Sequence, residues 1–196
     1  MTTTRLAMPT LAQEYLRGEG AWMEAARVAS ANLLMVLCAW IAMPLPGTPV
    51  PLTGQTFGAL LVGALFGATC GWQAMMLYLL EGAAGLPVFQ PFGAQGAAHF
   101  SGPTTGYLLA FPAAAALTGW LVARGKRHTV NLLGALLAGE GIIFTSGCVW
   151  LAFLLHLGWR GTLLAGLTPF VLGEIIKMAA VMAAVGGLEL GRRSSR

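Results

Sequence analysis

From Leu163 to Leu188 the chain is apolar except for two opposite charges, Glu174 and Lys177. A run of that length crosses a bilayer as a helix. Charges are expensive at that depth, so such residues turn away from lipid, find partners, and mark a functional site. Three positions apart on a helix, Glu174 and Lys177 share a face and can pair. The run therefore predicts a membrane helix whose Gly173-Glu174-Ile175-Ile176-Lys177 face looks into a cavity or onto neighbouring helices. The bland alternative is an internal ion pair that joins two helices.

The remainder of the chain fits the same solvent. Of 196 residues 57% are hydrophobic and 9% charged, against about a quarter charged in a soluble domain. There is no Asp, and Gly, at 27 residues, is abundant, as it is where membrane helices pack closely. The net charge of +4 is too sparsely spread to read as a nucleic-acid surface; its placement sets topology instead. Cys38, Cys70 and Cys148 stand alone in apolar runs, which argues against a disulfide framework or a metal site. The polar N-terminus lacks the pattern of a cleaved signal.

Hydropathy predicts an all-α integral membrane protein: six transmembrane helices in one bundle, at about 24–43, 55–69, 72–86, 104–123, 130–157 and 163–188. The first span stops at the Pro44-Leu45-Pro46-Gly47 break, since residues before proline disfavour helix. Gly71 is read as the tight turn between spans two and three. Residues 87–102 form an uncharged segment with Phe89, Phe92 and Phe100, too apolar for disorder, and are read as a lid packed over the bundle. Arg5, Arg17, Arg27, Arg124, Lys126, Arg127, Arg192, Arg193 and Arg196 fall on one face of this arrangement, and only Arg160 on the other. The positive-inside rule then gives a multi-pass protein of the bacterial inner (plasma) membrane with both termini cytoplasmic. The division is a cytoplasmic segment 1–22, a six-helix substrate-binding domain 23–190 and a basic tail 191–196. Glu174 and Lys177 then lie a third to half of the way into the last span, below the outer loops.

Four stretches carry a resemblance. They are Pro49-Val-Pro-Leu-Thr-Gly-Gln55-Thr-Phe57, Tyr78-Leu-Leu-Glu-Gly-Ala-Ala-Gly-Leu-Pro-Val-Phe89, Ser101-Gly-Pro-Thr-Thr-Gly-Tyr107-Leu-Leu-Ala-Phe-Pro112 and Pro169-Phe-Val-Leu-Gly-Glu-Ile-Ile-Lys177. In this order and spacing, across about residues 24–188, the sequence resembles the BioY family, the biotin-specific substrate-binding (S) components of energy-coupling-factor transporters. The resemblance implies high-affinity capture of biotin from outside. It also implies partners, namely a transmembrane coupling protein and two ATP-binding-cassette ATPases, besides membrane lipid. The family's last motif usually reads Gly-Asp-x-x-Lys and contributes to biotin binding; here the acid is Glu174, one methylene longer.

Biotin presents a ureido group with two N–H donors and a carbonyl, an apolar thioether ring and chain, and a carboxylate. A matching site needs an acceptor, donors and apolar walls. Glu174 accepts and Lys177 donates, so together they suit either polar end. Gln55 and Thr53, at the mouth of span two, serve the ligand or the lid, or Thr53 caps the helix. Tyr78 and Tyr107 line the pocket or belong to an interfacial aromatic belt, as Trp22, Trp40, Trp120 and Trp159 do. Glu140, between Gly139 and Gly141, lines the cavity or bonds a neighbouring helix. Gln90, Gln95 and His99 give the lid its polar groups, with Gln95 taken as a ligand contact. Ala25-x-x-x-Ala29 permits close helix contact, and the resemblance assigns that pattern to the coupling protein.

Other classes compete weakly. An intramembrane enzyme would need Ser101 or Ser146 as nucleophile with His99 or His156 as base, yet no motif or orienting acid accompanies them. A channel or self-sufficient carrier would show an internal repeat and broken helices, and no repeat is visible. The stretch Gly119–Lys126 fails as a phosphate loop, with five residues between its glycines and Arg127 in place of Ser or Thr. Biotin is thus the transported ligand, with no cofactor, and another small vitamin is the nearest alternative.

Overall fold

The computed structural model describes residues 20–125 and 128–194. The expected N-terminal segment lies outside them up to residue 19, as do Arg5, Arg17, Lys126, Arg127 and Arg196 of the charge argument. Among the described residues the helices are α1 Gly20–Trp40, α2 Gln55–Phe66, α3 Ala68–Ala83, α4 Thr105–Arg124, α5 His128–Leu155, α6 Trp159–Gly166 and α7 Val171–Ser194. Short 3-10 turns stand at Gly96–Ser101 and Thr168–Phe170. Four stretches are long and apolar enough to cross a membrane: Gly20–Trp40, Thr105–Arg124, Thr129–Leu155 and Trp159–Leu188. With the shorter α2 and α3 they form a six-pass membrane bundle, as the hydropathy predicts.

Helix α4 is its axis, packed on α2, α3 and α5. Small residues make this possible. Ala114 and Ala115 are fully buried, and a Cβ added at Gly119 would lie 2.5 Å from the Ala68 nitrogen. A Cβ at Gly63 would collide with the Ala115 carbonyl. Without a hydrophobic drive between helices in lipid, this close backbone approach is a main source of cohesion. The outward faces of α1 and α7 carry Leu33, Leu37, Leu172, Ile175 and Ile176, exposed as hydrocarbon contact requires. Trp22, Trp40, Trp120 and Trp159 are exposed at helix ends, and Arg124 stacks over the Trp120 ring.

Two expectations about the backbone are corrected. The turn between α2 and α3 is at Gly67, whose φ of 86° is open to glycine at little cost, while Gly71 lies inside α3 against Ala115. The last apolar run is also not one helix. It breaks between Gly166 and Val171, where Leu167 leaves helical geometry and Pro169 follows. Proline lacks an N–H and constrains the residue before it, so α7 begins afresh at Val171. Glu174 therefore lies in the first turn of α7.

The connections meet at the end of the bundle where α2 and α7 start. Residues 44–51 are closed by a two-stranded antiparallel ribbon, β1 Ala42–Met43 with β2 Leu52–Thr53, pairing Ala42 with Thr53. Thr48 Oγ1 donates to the Ala165 carbonyl at 2.6 Å and fixes this loop to the end of α6. Of the segment 87–102, Phe89, Gln90 and His99 are packed down and Phe100 is half-buried, while Phe92 is exposed, so only some of the lid's aromatics hold it to the bundle. Phe89 is 2% exposed, and its ring meets Tyr78 at 5.2 Å, His99 at 4.7 Å and Phe100 at 5.6 Å between centroids. Gly82 makes the room, since a Cβ there would fall within the Phe89 ring.

Candidate functional site

The break before Val171 sets the site's geometry. It aims the first turn of α7 at the first turn of α2. Glu174 Oε1 accepts from Lys177 Nζ at 2.6 Å, and Glu174 Oε2 accepts from Thr56 Oγ1 at 2.7 Å. Lys177 Nζ also donates to Thr56 Oγ1 at 3.0 Å. The three groups form a closed ring, with Glu174 7% and Lys177 17% exposed at the side chain. Charge-assisted bonds of this kind are stronger than neutral ones, and burial makes the loss of any partner costly. A carboxylate in the first turn also meets the positive end of the helix dipole.

Beside this ring, Gln55 is held on both sides. Its Nε2 donates to Tyr78 Oη at 2.7 Å, and its Oε1 accepts from Thr53 Oγ1 at 3.0 Å. Thr53 Oγ1 in turn accepts from the Gln55 backbone N–H at 3.3 Å, so Thr53, just before the Gly54 cap of α2, orients the first side chain of the helix. Tyr107 donates to the Gly166 carbonyl at 2.7 Å and so satisfies the broken end of α6.

These groups bound a small cavity of about 30 Å³. Val50, Pro51, Leu108, Phe144 and Phe170 make its apolar walls; Thr53, Gln55, Thr56, Thr104, Glu174 and Lys177 supply its polar groups, and Tyr107 closes it. Tyr107, Phe144 and Phe170 form one aromatic wall, with centroids 5.8 and 6.3 Å apart in sequence along it. A second cavity of about 130 Å³ lies under the lid and shares Pro51 and Thr104 with the first. Gln90 and His99 line it, each already bonded: Gln90 Oε1 accepts from the Phe92 N–H at 2.7 Å, and His99 Nδ1 meets the Ala94 carbonyl at 2.6 Å.

Of the residues singled out in the sequence, Glu174, Lys177, Gln55, Thr53 and Tyr107 come together around one cavity. Tyr78 stands behind Gln55 and holds it. Gln95 is exposed and lines neither cavity, because the chain turns outward there before the Gly96–Ser101 turn; Gln90 and His99 face inward instead. Glu140, on α5, lines neither cavity, and both its carboxyl oxygens are buried without a hydrogen-bond partner. Ala25 and Ala29 are exposed on α1, far in sequence from the cavity residues and outside its lining. Sequence reasoning missed Thr56, Phe144 and Phe170. Thr56 follows Gln55 directly and Phe170 opens the Gly-Glu-Ile-Ile-Lys stretch, so proximity to those motifs was the available signal.

The arrangement suits a small molecule with polar ends and an apolar middle. Comparisons with known proteins agree. Residues 8–193 match the model of the BioY family. A Thermotoga maritima protein named biotin transporter BioY is 40% identical over 157 residues, covering 80% of this chain and 89% of its own. The Lactococcus lactis biotin transporter BioY2 is 35% identical over 177 residues, 88% of this chain and 96% of its own. Among solved structures, the S-component for biotin from an ECF-type ABC transporter superposes with a TM-score of 0.77 at 23% identity, covering 88% of this chain and 95% of that one.

Proposed function

The chain belongs to the BioY family, and on that premise we infer that it is the biotin-binding S component of an energy-coupling-factor uptake transporter. The observation that carries this reading is the ring of Thr56, Glu174 and Lys177 facing a mostly apolar cavity. Biotin's fused rings and chain match the Phe144–Phe170 wall, and its polar ends match the ring and the Gln55 amide. Glu174, Lys177, Gln55, Thr53 and Tyr107 are assigned to ligand contact, with Thr56 added; Tyr78 positions Gln55. Gln95 is too exposed to join them, and Glu140 is buried outside the cavity lining.

The partners follow from the S-component role. A transmembrane coupling protein and two ATPases supply the energy, and the exposed Ala25 and Ala29 face of α1 is the proposed contact with the coupling protein. The protein lies in the bacterial inner membrane with the lid outside. The charge placement supports cytoplasmic termini: Arg27 donates to the Phe66 carbonyl at 3.4 Å, so the starts of α1 and α3 and the end of α2 share one face. The N-terminal segment 1–22 and the basic tail 191–196 then flank the substrate-binding domain 23–190 on that face.

A transport role without chemistry is the reading the relatives, named biotin transporters, support, and among the described residues Ser146 spends its hydroxyl on the Gly106 carbonyl at 2.7 Å while Ser101 and His156 are exposed.

The test is equilibrium binding of biotin to the purified protein in detergent, with desthiobiotin and lipoate as competitors. Tight, saturable binding that lipoate displaces poorly is the expected result. Folded protein that does not bind biotin would overturn the assignment and redirect the search to other small anionic vitamins.

A further inference from the structure

Threonine is well suited to cap a helix start, because its hydroxyl can accept from a backbone N–H of the first turn. Thr104 holds that position before α4 and makes no such bond. It is nevertheless buried, at 8% exposed, and with Pro51 it lines both cavities. Its hydroxyl turns to the lid instead, where Oγ1 lies 3.3 Å from His99 Nε2.

The direction of that bond follows from the groups around it. His99 Nδ1 meets the Ala94 carbonyl at 2.6 Å, and a carbonyl only accepts, so Nδ1 carries the hydrogen. In the neutral ring Nε2 is then the acceptor, and Thr104 donates to it. The lid holds this arrangement in place. His99 is 4% exposed, its ring packs on Phe89, and its backbone carbonyl accepts from the Gly102 N–H at 3.0 Å. The single hydrogen of the Thr104 hydroxyl is therefore spent on the lid, and the oxygen keeps its lone pairs.

The other hydroxyls around the first cavity are committed. Thr53 donates to Gln55 Oε1 and accepts from the Gln55 N–H, while Thr56 donates to Glu174 and accepts from Lys177. Tyr107 donates to Gly166, which lies outside the lining. We propose that Thr104 Oγ1 accepts a hydrogen bond from a ureido N–H of the bound ligand, and that His99 is the positioning residue that keeps it an acceptor. The proposal rests on the biotin reading of the site. An oxygen with no hydrogen to offer repels a carboxylate, so this device sets the ureido ring, not the acid, beside Thr104. Lipoate brings a carboxylate and no N–H, and gains nothing from it.

The test is a double-mutant cycle read by biotin affinity at about pH 8, where an unperturbed histidine is neutral. Thr104→Val keeps the side chain's shape and should weaken biotin binding roughly 5- to 100-fold. Desthiobiotin, which retains both N–H groups, should lose the same factor, and Thr104→Ser should recover most of it. Should Thr104→Val not fold, Thr104→Ala carries the same expectation. His99→Phe keeps a ring against Phe89 and removes the acceptor. It should cost about twofold or more in the wild type and add little in the Thr104→Val background. Wild-type protein that binds biotin no better than Thr104→Val would overturn the proposal alone, and so would a Ser variant as weak as the Val. Losses at Thr104 and His99 that simply add would overturn the positioning role and leave His99 a strut of the lid. A folded wild type that does not bind biotin would overturn the biotin reading and this proposal with it.

Discussion

Thr56 and Lys177 are 121 positions apart in the chain, and the hydroxyl of one accepts from the ammonium of the other at 3.0 Å. This contact joins the first turn of α2 to the second turn of α7, the two helices whose starts frame the cavity. It also explains how an ion pair persists in a membrane protein. The pair is local, between residues three apart on one helix, but its geometry is set by a hydroxyl from the far end of the sequence.

Removing the ammonium should be severe. Lys177→Ala leaves Glu174 with the Thr56 hydroxyl as its remaining donor in a site 7% exposed. Breaking a buried pair from one side costs about 3–5 kcal/mol of folding stability, and loss of a charged ligand contact should lower biotin affinity by about tenfold or more. Isothermal titration on folded, monodisperse protein checks this. Affinity within threefold of the wild type would remove Lys177 from the site.

The hydroxyl is a subtler probe. Thr56→Val keeps the shape of the side chain and deletes one donor to Glu174 and one acceptor for Lys177. The expected cost is about 1–3 kcal/mol, or roughly 5- to 100-fold in affinity, while Thr56→Ser should recover most of it. Equal losses in Val and Ser variants would show that the methyl, not the hydroxyl, matters.

Two variants separate the cavity from the lid's surface. Tyr78→Phe deprives the buried Gln55 amide of its acceptor, and biotin affinity should fall by roughly fivefold or more. Gln95→Ala, at an exposed position lining neither cavity, should change affinity by less than about twofold. Competition binding with labelled biotin resolves both; a large effect at Gln95 would mean that the lid refolds around the ligand.

The sequence made most of the helices plain, because long apolar runs and the prolines at 44–51 leave few alternatives. It concealed the break between α6 and α7. Leu163 to Leu188 is evenly apolar, hydropathy carries no information on chain direction, and Pro169 alone marked the interruption. The misplaced turn at Gly71 has a related cause: two glycines lie within one run, and only the backbone tells which has positive φ. In the site, the charged pair stood out because charge is rare in lipid. Thr56 did not, since a threonine in an apolar helix reads as packing. Gln95 and Gln90 are alike in composition, and the fold of the lid chooses between them.

Packing of the bundle predicts a contrast unrelated to ligand. Gly63→Ala places a methyl on the Ala115 carbonyl of α4, a backbone atom that cannot move aside. It should destabilise the protein by about 1–3 kcal/mol, seen as a lower midpoint in thermal unfolding in detergent. Gly134→Ala, on α5 with nothing within 4 Å, should leave the midpoint unchanged or raise it.

The interruption at Gly166–Phe170 also has an electrical consequence. By starting α7 anew at Val171 it holds Glu174 in the first turn, near the loop-bearing end of the bundle. Carrying one elementary charge across a whole membrane costs about 2.3 kcal/mol per 100 mV when the potential opposes it. If the loop-bearing end faces outside, an anion that reaches Glu174 crosses only the part of that drop lying above the first turn of α7, and the remaining electrical work falls on whatever step carries the ligand onward.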